Sequence, residues 1–414
     1  MNQINQLFLE ALGASLSSRQ VVWEKALPEE TWAALFRLAQ AHQVLPMIFD
    51  AVYSSPAARQ ANPTMIRMLK QQTLQSAMIQ AMKTRELLAL LKHLKQEGLK
   101  PCLVKGIVCR SLYPKPDLRI SSDEDMLIPR EQFERCHEAM LAYGMILPQD
   151  VQYVSSSYEV PYGKRNSPIY IELHKSLFPP ESRAYGDLNR FFAGVHENAA
   201  TIVVDGYEIP TMSATDHFFY LICHAFKHFL HSGFGIRQVC DIVLFANRYG
   251  KDIEWMKVLR QCTEINADLF AAALLSIGKK HLGFDPDKAC YPKAWRDIPV
   301  DEQAMLDDLL ESGIYGDADM NRKHSSTITL SAVSDHKIGR KFRGHMMGSL
   351  FPPIDQMLGR YPYLKKKPYL LPWAWLVRMV RYYKERQEKN MDAAESLRIG
   401  RERIELMRKY GILK

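Results

Sequence analysis

The stretch LRISSDEDMLIP, residues 118–129, decides how the chain is read. Its apolar end, Met126–Ile128, is stopped by Pro129, the mark of a short strand entering a core. Side chains at i and i+2 of a strand share a face, about 6.6 Å apart along the chain. Asp123 and Asp125 therefore point the same way. Two like charges on one side of a buried strand call for something positive between them. Two hard carboxylates at that reach suit Mg²⁺, which takes oxygen ligands. The plain alternative is a solvated strand start, the usual place for carboxylates.

Strands and helices mix around this stretch, over residues 99–212. KPCLVKG (100–106) reads as a strand closed by Lys105–Gly106, and IVCRSLY as a short helix stopped by Pro114 and Pro116. REQFERCHEAMLAYG is a helix with Gly144 after it. VQYVSSSYEVPY and PIYIELHKSL read as two strands joined at GKRNS, and TIVVDGYEIP as a hairpin on Asp205–Gly206. That mixture indicates an α/β or α+β domain.

The flanks are helical. Residues 1–98 hold PEETWAALFRLAQAH, with Trp32, Leu35, Leu38 and Ala39 at helical spacing behind Pro28, and a long amphipathic helix that ends at Gly98. Residues 213–300 read as a second helical region. Residues 301–414 form an extension: polar and poorly periodic over 312–345, read as loop or linker, then a basic amphipathic helix begun near Pro372. Its apolar residues Trp373, Leu376, Val377, Val380 and Tyr383 alternate with Arg378, Arg381 and Lys384. Such a stripe is expected to pack on the body; the competing reading is a helix lying on a membrane surface.

Bulk composition bounds the rest. With 414 residues the chain is too long for one ordinary core. Apolar residues make up 47% and charged ones 24%, which is globular rather than disordered. Seven cysteines without a CxxC pair argue against a disulfide framework and suit a reducing compartment. The N-terminal stretch has no basic n-region, and no apolar run is long enough for a membrane span. A cytoplasmic location is expected. Net charge is +8, and residues 360–414 carry fifteen Lys/Arg against six Asp/Glu, a local balance of +9. The body is close to neutral, which argues against a groove for long nucleic acid.

Three further groups carry chemistry. Glu172, in IYIELHKSL, is a third carboxylate, sharing a face with Tyr170 and His174; it reads either as one wet face of an edge strand or as the third ligand of a metal pair. Lys105–Gly106 closes a strand and opens a helix, where backbone N–H groups bind phosphate and glycine permits close approach. Arg119 can reach the same phosphates or pair with a carboxylate. His217, His224, His228 and His231 fall near one helical face. His224 and His228 have i, i+4 spacing compatible with zinc, but without the glutamate of the metalloprotease motif; packed histidines are the commoner case. Arg237 and Asp241, also i, i+4, read as a structural ion pair.

The order CLVKGIVCRSLYPKPDLRISSDEDMLI, YIELHKSL, HAFKH…RQVCDI resembles the uncharacterised nucleotidyltransferase family of the DNA-polymerase-β-type superfamily, whose pattern is K-G…Y…R…D-x-D…E-x-H. The resemblance covers roughly residues 20–290, and the closing FPP…YPYLKKKPYLLPWAWLVR is similar to C-terminal segments of bacterial members. It implies an α+β fold with a small mixed-sheet nucleotidyltransferase core between helical regions. It further implies Asp123, Asp125 and Glu172 as catalytic metal carboxylates, and Lys105, Gly106, Arg119, Ser121, Ser122 and His174 on the nucleotide side. Mg²⁺ or Mn²⁺ would be the cofactor, with ATP or another NTP and an unknown acceptor hydroxyl or phosphate as substrates. The alternative is a degenerate relative that binds a nucleotide or partner without turnover. The chain departs from the pattern twice. Lys105–Gly106 stands where the superfamily usually has Gly-Ser. Glu124 stands between the aspartates where an apolar residue is usual, so it must be edge-exposed or paired.

Overall fold

The structure is a computed structural model that describes residues 1–148, 154–312, 320–337, 351–352, 354–358, 360–389 and 393–413. Seven strands form one mixed sheet: β1 (Cys102–Val104), β2 (Glu124–Leu127), β3 (Met145–Ile146), β4 (Glu159–Lys164), β5 (Tyr170–His174), β6 (Ala200–Val204) and β7 (Tyr207–Thr211), in the order β3-β4-β5-β2-β1-β7-β6. Helices cover it, and the fold is α+β.

The strand carrying Asp125 is central. β2 runs antiparallel to β1 and parallel to β5, with Asp125 directly across from Glu172. β5 is therefore an interior strand, hydrogen-bonded to β2 on one side and β4 on the other. The β6–β7 hairpin turns on Asp205 (φ 49°) and Gly206 (φ 79°), the two positive φ values a type I′ turn requires. β3 is a two-residue strand too short to leave a periodic trace in the sequence. Of the segment read as a strand from residue 151, residues 151–153 lie outside the described residues.

On the N-terminal side, α1 (Gln3–Leu16), α2 (Glu29–Ala41), α3 (Leu45–Val52), α4 (Pro56–Arg59) and the long α5 (Pro63–Gln96) precede the sheet. Within it lie α6 (Gly106–Arg110) and α7 (Phe133–Ala142). After it come α8 (Ala214–His231), α9 (Ile236–Tyr249), α10 (Trp255–Glu264), α11 (Asp268–His281), α12 (Lys293–Arg296) and α13 (Glu302–Ser312). One continuous apolar core runs from Phe8 in α1 through the sheet to Leu413.

Two expectations for the C-terminal region are corrected. Residues 320–337, read as loop or linker, form a helix, α14 (Met320–Lys337). Its buried positions are Ser325, Ile328, Thr329, Ser331, Ala332, Val333 and Ser334, largely small and polar residues that run on over the consecutive positions 331–334, so no apolar period showed. The hydroxyl of Thr329 satisfies itself on the Leu230 carbonyl (2.7 Å). Residues 313–319 and 338–345 of that reading lie outside the described residues.

The basic helix does not bury its stripe. After α15 (Ile354–Met357) comes α16 (Leu371–Lys389), which packs through Ala374, Trp375 and Val377 on Met357, Tyr361 and Leu364. That small cluster is separate from the main core. Of the residues expected to be buried, Val377 is half-buried, whereas Trp373, Leu376 and Val380 are 60%, 51% and 59% exposed. The physical reason is local: a short two-turn contact buries one narrow face, and the broader apolar stripe extends beyond it. The side chains of Tyr383 and Lys384 lie outside the described residues. The last helix, α17 (Ala393–Lys409), returns to the body, where Ile404, Met407 and Tyr410 join the main core.

Candidate functional site

Alternation along β2 sends Glu124 and Asp125 to opposite faces, and each meets a different cation. Glu124 is buried and paired with Arg110 at 2.7 Å, and it accepts the Ile107 N–H at 2.6 Å. Arg110 also donates to Thr84 (3.2 Å). The Glu124 carboxylate thus fills the N-terminus of α6. A Cβ on Gly106, whose φ is +34°, would fall inside that carboxylate. Glycine is needed here to seat Glu124, and the unusual residue between the aspartates is paired rather than edge-exposed.

Asp125 faces the other way, towards α8. Its Oδ2 lies 2.9 Å from Lys105 Nζ, and its Oδ1 is 3.0 Å from His174 Nε2. Burial opposes the charge, but Lys105 and His174 together hold the Asp125 carboxyl well below the usual range. Burial likewise opposes the Lys105 ammonium, and Asp125 more than offsets it, so its pKa is raised. His174 is also raised: burial works against its proton, and the Asp125 carboxylate prevails.

Asp125, Glu172 and His174 each bring one ligand atom within 4.8 Å of the others. Glu172 is half-buried, and its carboxyl is raised to about 7, first by burial and then by Asp125 and Asp123. Asp123 is half-exposed just ahead of β2, where its Oδ1 accepts from Ser122 Oγ (3.0 Å) and its carbonyl from Ser121 Oγ (2.8 Å). It lies outside the three-residue cluster but lines the same cleft as Asp125, Lys105 and Arg119.

A cation fits this donor set. Its atoms are carboxylate oxygens and an imidazole, and after burial the neighbouring Asp125 and Asp123 carboxylates raise the Glu172 carboxyl, a repulsion that a bound cation would relieve. Each carboxylate oxygen has two lone pairs, so Asp125 can hold Lys105 and His174 and still offer a ligand direction.

Lys105 stands in a strained backbone. Its φ of 54° with ψ of −125° is a region L-residues avoid. Three contacts hold it there. Its N–H donates to His217 Nε2 (3.2 Å), and its ammonium contacts both Asp125 and His224 Nε2 (3.1 Å). An ammonium can only donate, so His224 accepts at Nε2, and His228 Nε2, 3.2 Å from the same atom, is the donor of that pair. Burial, then the nearby lysines, keeps His224 and His228 well below the ordinary imidazole range, hence neutral. His217 is lowered to about 3 by burial and bridges Thr211 Oγ1 at 3.1 Å. The histidine face of α8 therefore buttresses Lys105. Among the described residues no third ligand joins His224 and His228, and the zinc reading has no support. His231 contacts Tyr185 OH at 2.7 Å.

The pairing read between Arg237 and Asp241 is replaced. Asp241 takes Arg119 in a two-pronged pair, 2.9 Å from Nε and 2.6 Å from Nη2, and accepts from Tyr113 OH at 2.7 Å. Arg237 donates instead to the Ile120 carbonyl. An i, i+4 spacing only permits a pair, and Arg119 brings a better-aimed fork from 122 residues away.

The sequence marked α5 as a helix but missed its contribution to the cleft. Gln80 and Lys83 reach from its buried face to the loop before β2: Lys83 Nζ donates to the carbonyls of Ser121 (2.7 Å) and Ser122 (2.8 Å), and Gln80 exchanges bonds with the Ser121 backbone. Two polar residues inside an amphipathic helix, facing its buried side, were the available signal.

A family model described as uncharacterised nucleotidyltransferase matches residues 28–283. The chain belongs to this family. No curated protein and no solved structure matches it. The match takes in every residue of the cleft; α13, α14, the basic helix and α17 lie beyond it.

Proposed function

We propose that the protein is a metal-dependent nucleotidyltransferase on a DNA-polymerase-β-type core, moving a nucleoside monophosphate from an NTP, ATP as first choice, to an acceptor hydroxyl or phosphate. The observation that carries this reading is Asp125 and Glu172 side by side on adjacent strands with His174, and Asp123 at the same cleft. Asp123, Asp125 and Glu172 would hold Mg²⁺ or Mn²⁺, which when bound supplies charge neutralisation for the reacting phosphate oxygens.

The chain's own residues do the rest. Lys105, braced by Asp125 and His224, fixes a positive charge at the cleft. His174 holds the Asp125 carboxylate in place from β5. Lys83 and Gln80 set the Ser121–Ser122 loop that aims Asp123. In the reaction the acceptor oxygen bonds to the α-phosphorus as the bond to the pyrophosphate oxygen breaks, and the acceptor proton passes to the carboxylate cluster. A second reading has one specific support: Lys105 and His174 already balance Asp125, as they would in a site that holds a nucleotide without turning it over.

Thermal shift and pyrophosphate release separate these readings. Mg²⁺ with ATP is expected to raise the melting temperature more than either alone, because ligands of the folded state stabilise it by mass action. Pyrophosphate release with an acceptor extract supports transfer, and binding without release supports the second reading. No stabilisation by any of the four NTPs with Mg²⁺ or Mn²⁺ rejects both.

A further inference from the structure

We infer that Arg237, with the free edge of Arg119, is the polyphosphate grip of the cleft. This rests on the nucleotide reading and assigns the phosphates to the α8–α9 side rather than to the N-terminus of α6. That N-terminus is closed: Ile107 N–H is spent on Glu124. Lys105 is spent on Asp125. Two guanidinium groups lining the same cleft keep donor capacity. Arg119 is 3% exposed, and with Nε and Nη2 on Asp241 its buried Nη1 has no hydrogen-bond partner. Arg237, in the first turn of α9, lines the same cleft, half-buried, and among the described residues has no carboxylate in ion-pair contact. It donates to the Ile120 backbone carbonyl. Burial, then the Arg119 charge, lowers its pKa. A buried donor without an acceptor and a second cation beside it at a helix start form a site that an anion with several oxygens completes. The carboxylates Asp123 and Asp125 line the same cleft, so a phosphate chain bound there would lie near both the arginines and the metal carboxylates.

The test is calorimetric titration with Mg·ATP, with inorganic tripolyphosphate plus Mg²⁺, and with adenosine. Arg237→Gln is expected to weaken the first two about tenfold or more, the loss of a charged hydrogen bond, and to leave adenosine unchanged. Arg237→Lys, which keeps the charge without the planar fork, gives intermediate affinity. Equal affinity of wild type and Arg237→Gln for Mg·ATP overturns the inference and leaves the nucleotide reading standing, as does an equal loss for adenosine. Wild type that binds no nucleotide or polyphosphate overturns both. If the glutamine variant does not fold, lysine that binds as well as arginine counts against the grip.

A second proposal stands on a different observation. The structure assigns the basic helix to an anionic lipid surface. Trp373, Leu376 and Val380 fall at offsets of three and four, one helical stripe, and are 60%, 51% and 59% exposed; Tyr369, in the turn just before the helix, is 72% exposed. Residues 356–384 hold seven Lys/Arg and no Asp/Glu, with Lys365, Lys366 and Lys367 exposed just before the helix. Aromatic side chains with a basic flank suit the headgroup boundary, where apolar contact adds to attraction for anionic lipid. No helix among the described residues is long and apolar enough to cross a membrane. The full chain is sedimented with phosphatidylglycerol-containing and pure phosphatidylcholine vesicles at low and high salt. Binding to the anionic vesicles only, weakened by salt and lost about tenfold in Trp373→Ser/Leu376→Ser, supports the assignment. The variant binding as wild type does, or no binding together with concentration-dependent self-association through the stripe, rejects it. Deleting residues 360–414 is unsuitable, because Ile404, Met407 and Tyr410 belong to the main core.

Discussion

Asp125→Asn is expected to lower nucleotidyl transfer about 10³-fold, the scale on which one preorganised charge contact counts in catalysis, and to abolish the joint stabilisation by Mg²⁺ and ATP. It also destabilises the free protein. From the sequence alone Asp125 is half of a repelling pair, and neutralising it relieves strain. In the fold it is the shared partner of Lys105 and His174, at 2.9 and 3.0 Å. Taking away one member of a buried pair leaves the other uncompensated, at a cost of about 3–5 kcal/mol. Lys105 keeps some solvent contact, so the lower end is expected. Asp123→Asn is the companion variant. Asp123 is half-exposed, and its only side-chain hydrogen bond among the described residues is from Ser122. It should lose activity with little change in stability. Full transfer by either variant in a pyrophosphate assay removes the carboxylates from the mechanism.

Glu124→Ala gives the largest expected loss of stability. The variant strands Arg110, which is 1% exposed, and frees the Ile107 N–H at the start of α6. An uncompensated buried charge costs about 3–5 kcal/mol, and an unsatisfied donor adds about 1–3 kcal/mol. Urea denaturation with a double-mutant cycle measures this. Glu124→Leu/Arg110→Met, which removes both charges, is expected to recover most of the loss. If Glu124→Ala alone unfolds at the wild-type urea midpoint, the pair contributes nothing and the seating of Gly106 is unimportant.

The elements of the sheet and its flanking helices were legible because their periods are. Helical spacing marked α2 and the long α5, Asp205–Gly206 marked the hairpin, and Gly98 and Gly144 marked helix ends. α14 was not legible, since Ser325, Thr329 and Ala332 bury a face without being strongly apolar. The stripe at Trp373 was legible as a stripe, yet its exposure was not, because amphipathicity states that a face is apolar and not whether anything lies against it.

At the site, the sequence by itself determined that His217 shares a helical face with His224 and His228 and that glycine stands at the junction of β1 and α6; Asp123, read as sharing a strand face with Asp125, lies just ahead of β2 and lines the same cleft. Only the tertiary structure decided which charge answers which. Lys105 meets Asp125 from 20 residues away, Arg110 meets Glu124 from 14 and Arg119 meets Asp241 from 122, while the nearer candidate Arg237 is left facing the cleft. The reason is that local period fixes the direction of a side chain along its own element. The partner it finds depends on strand order and helix placement, and those are set by the packing of the whole core.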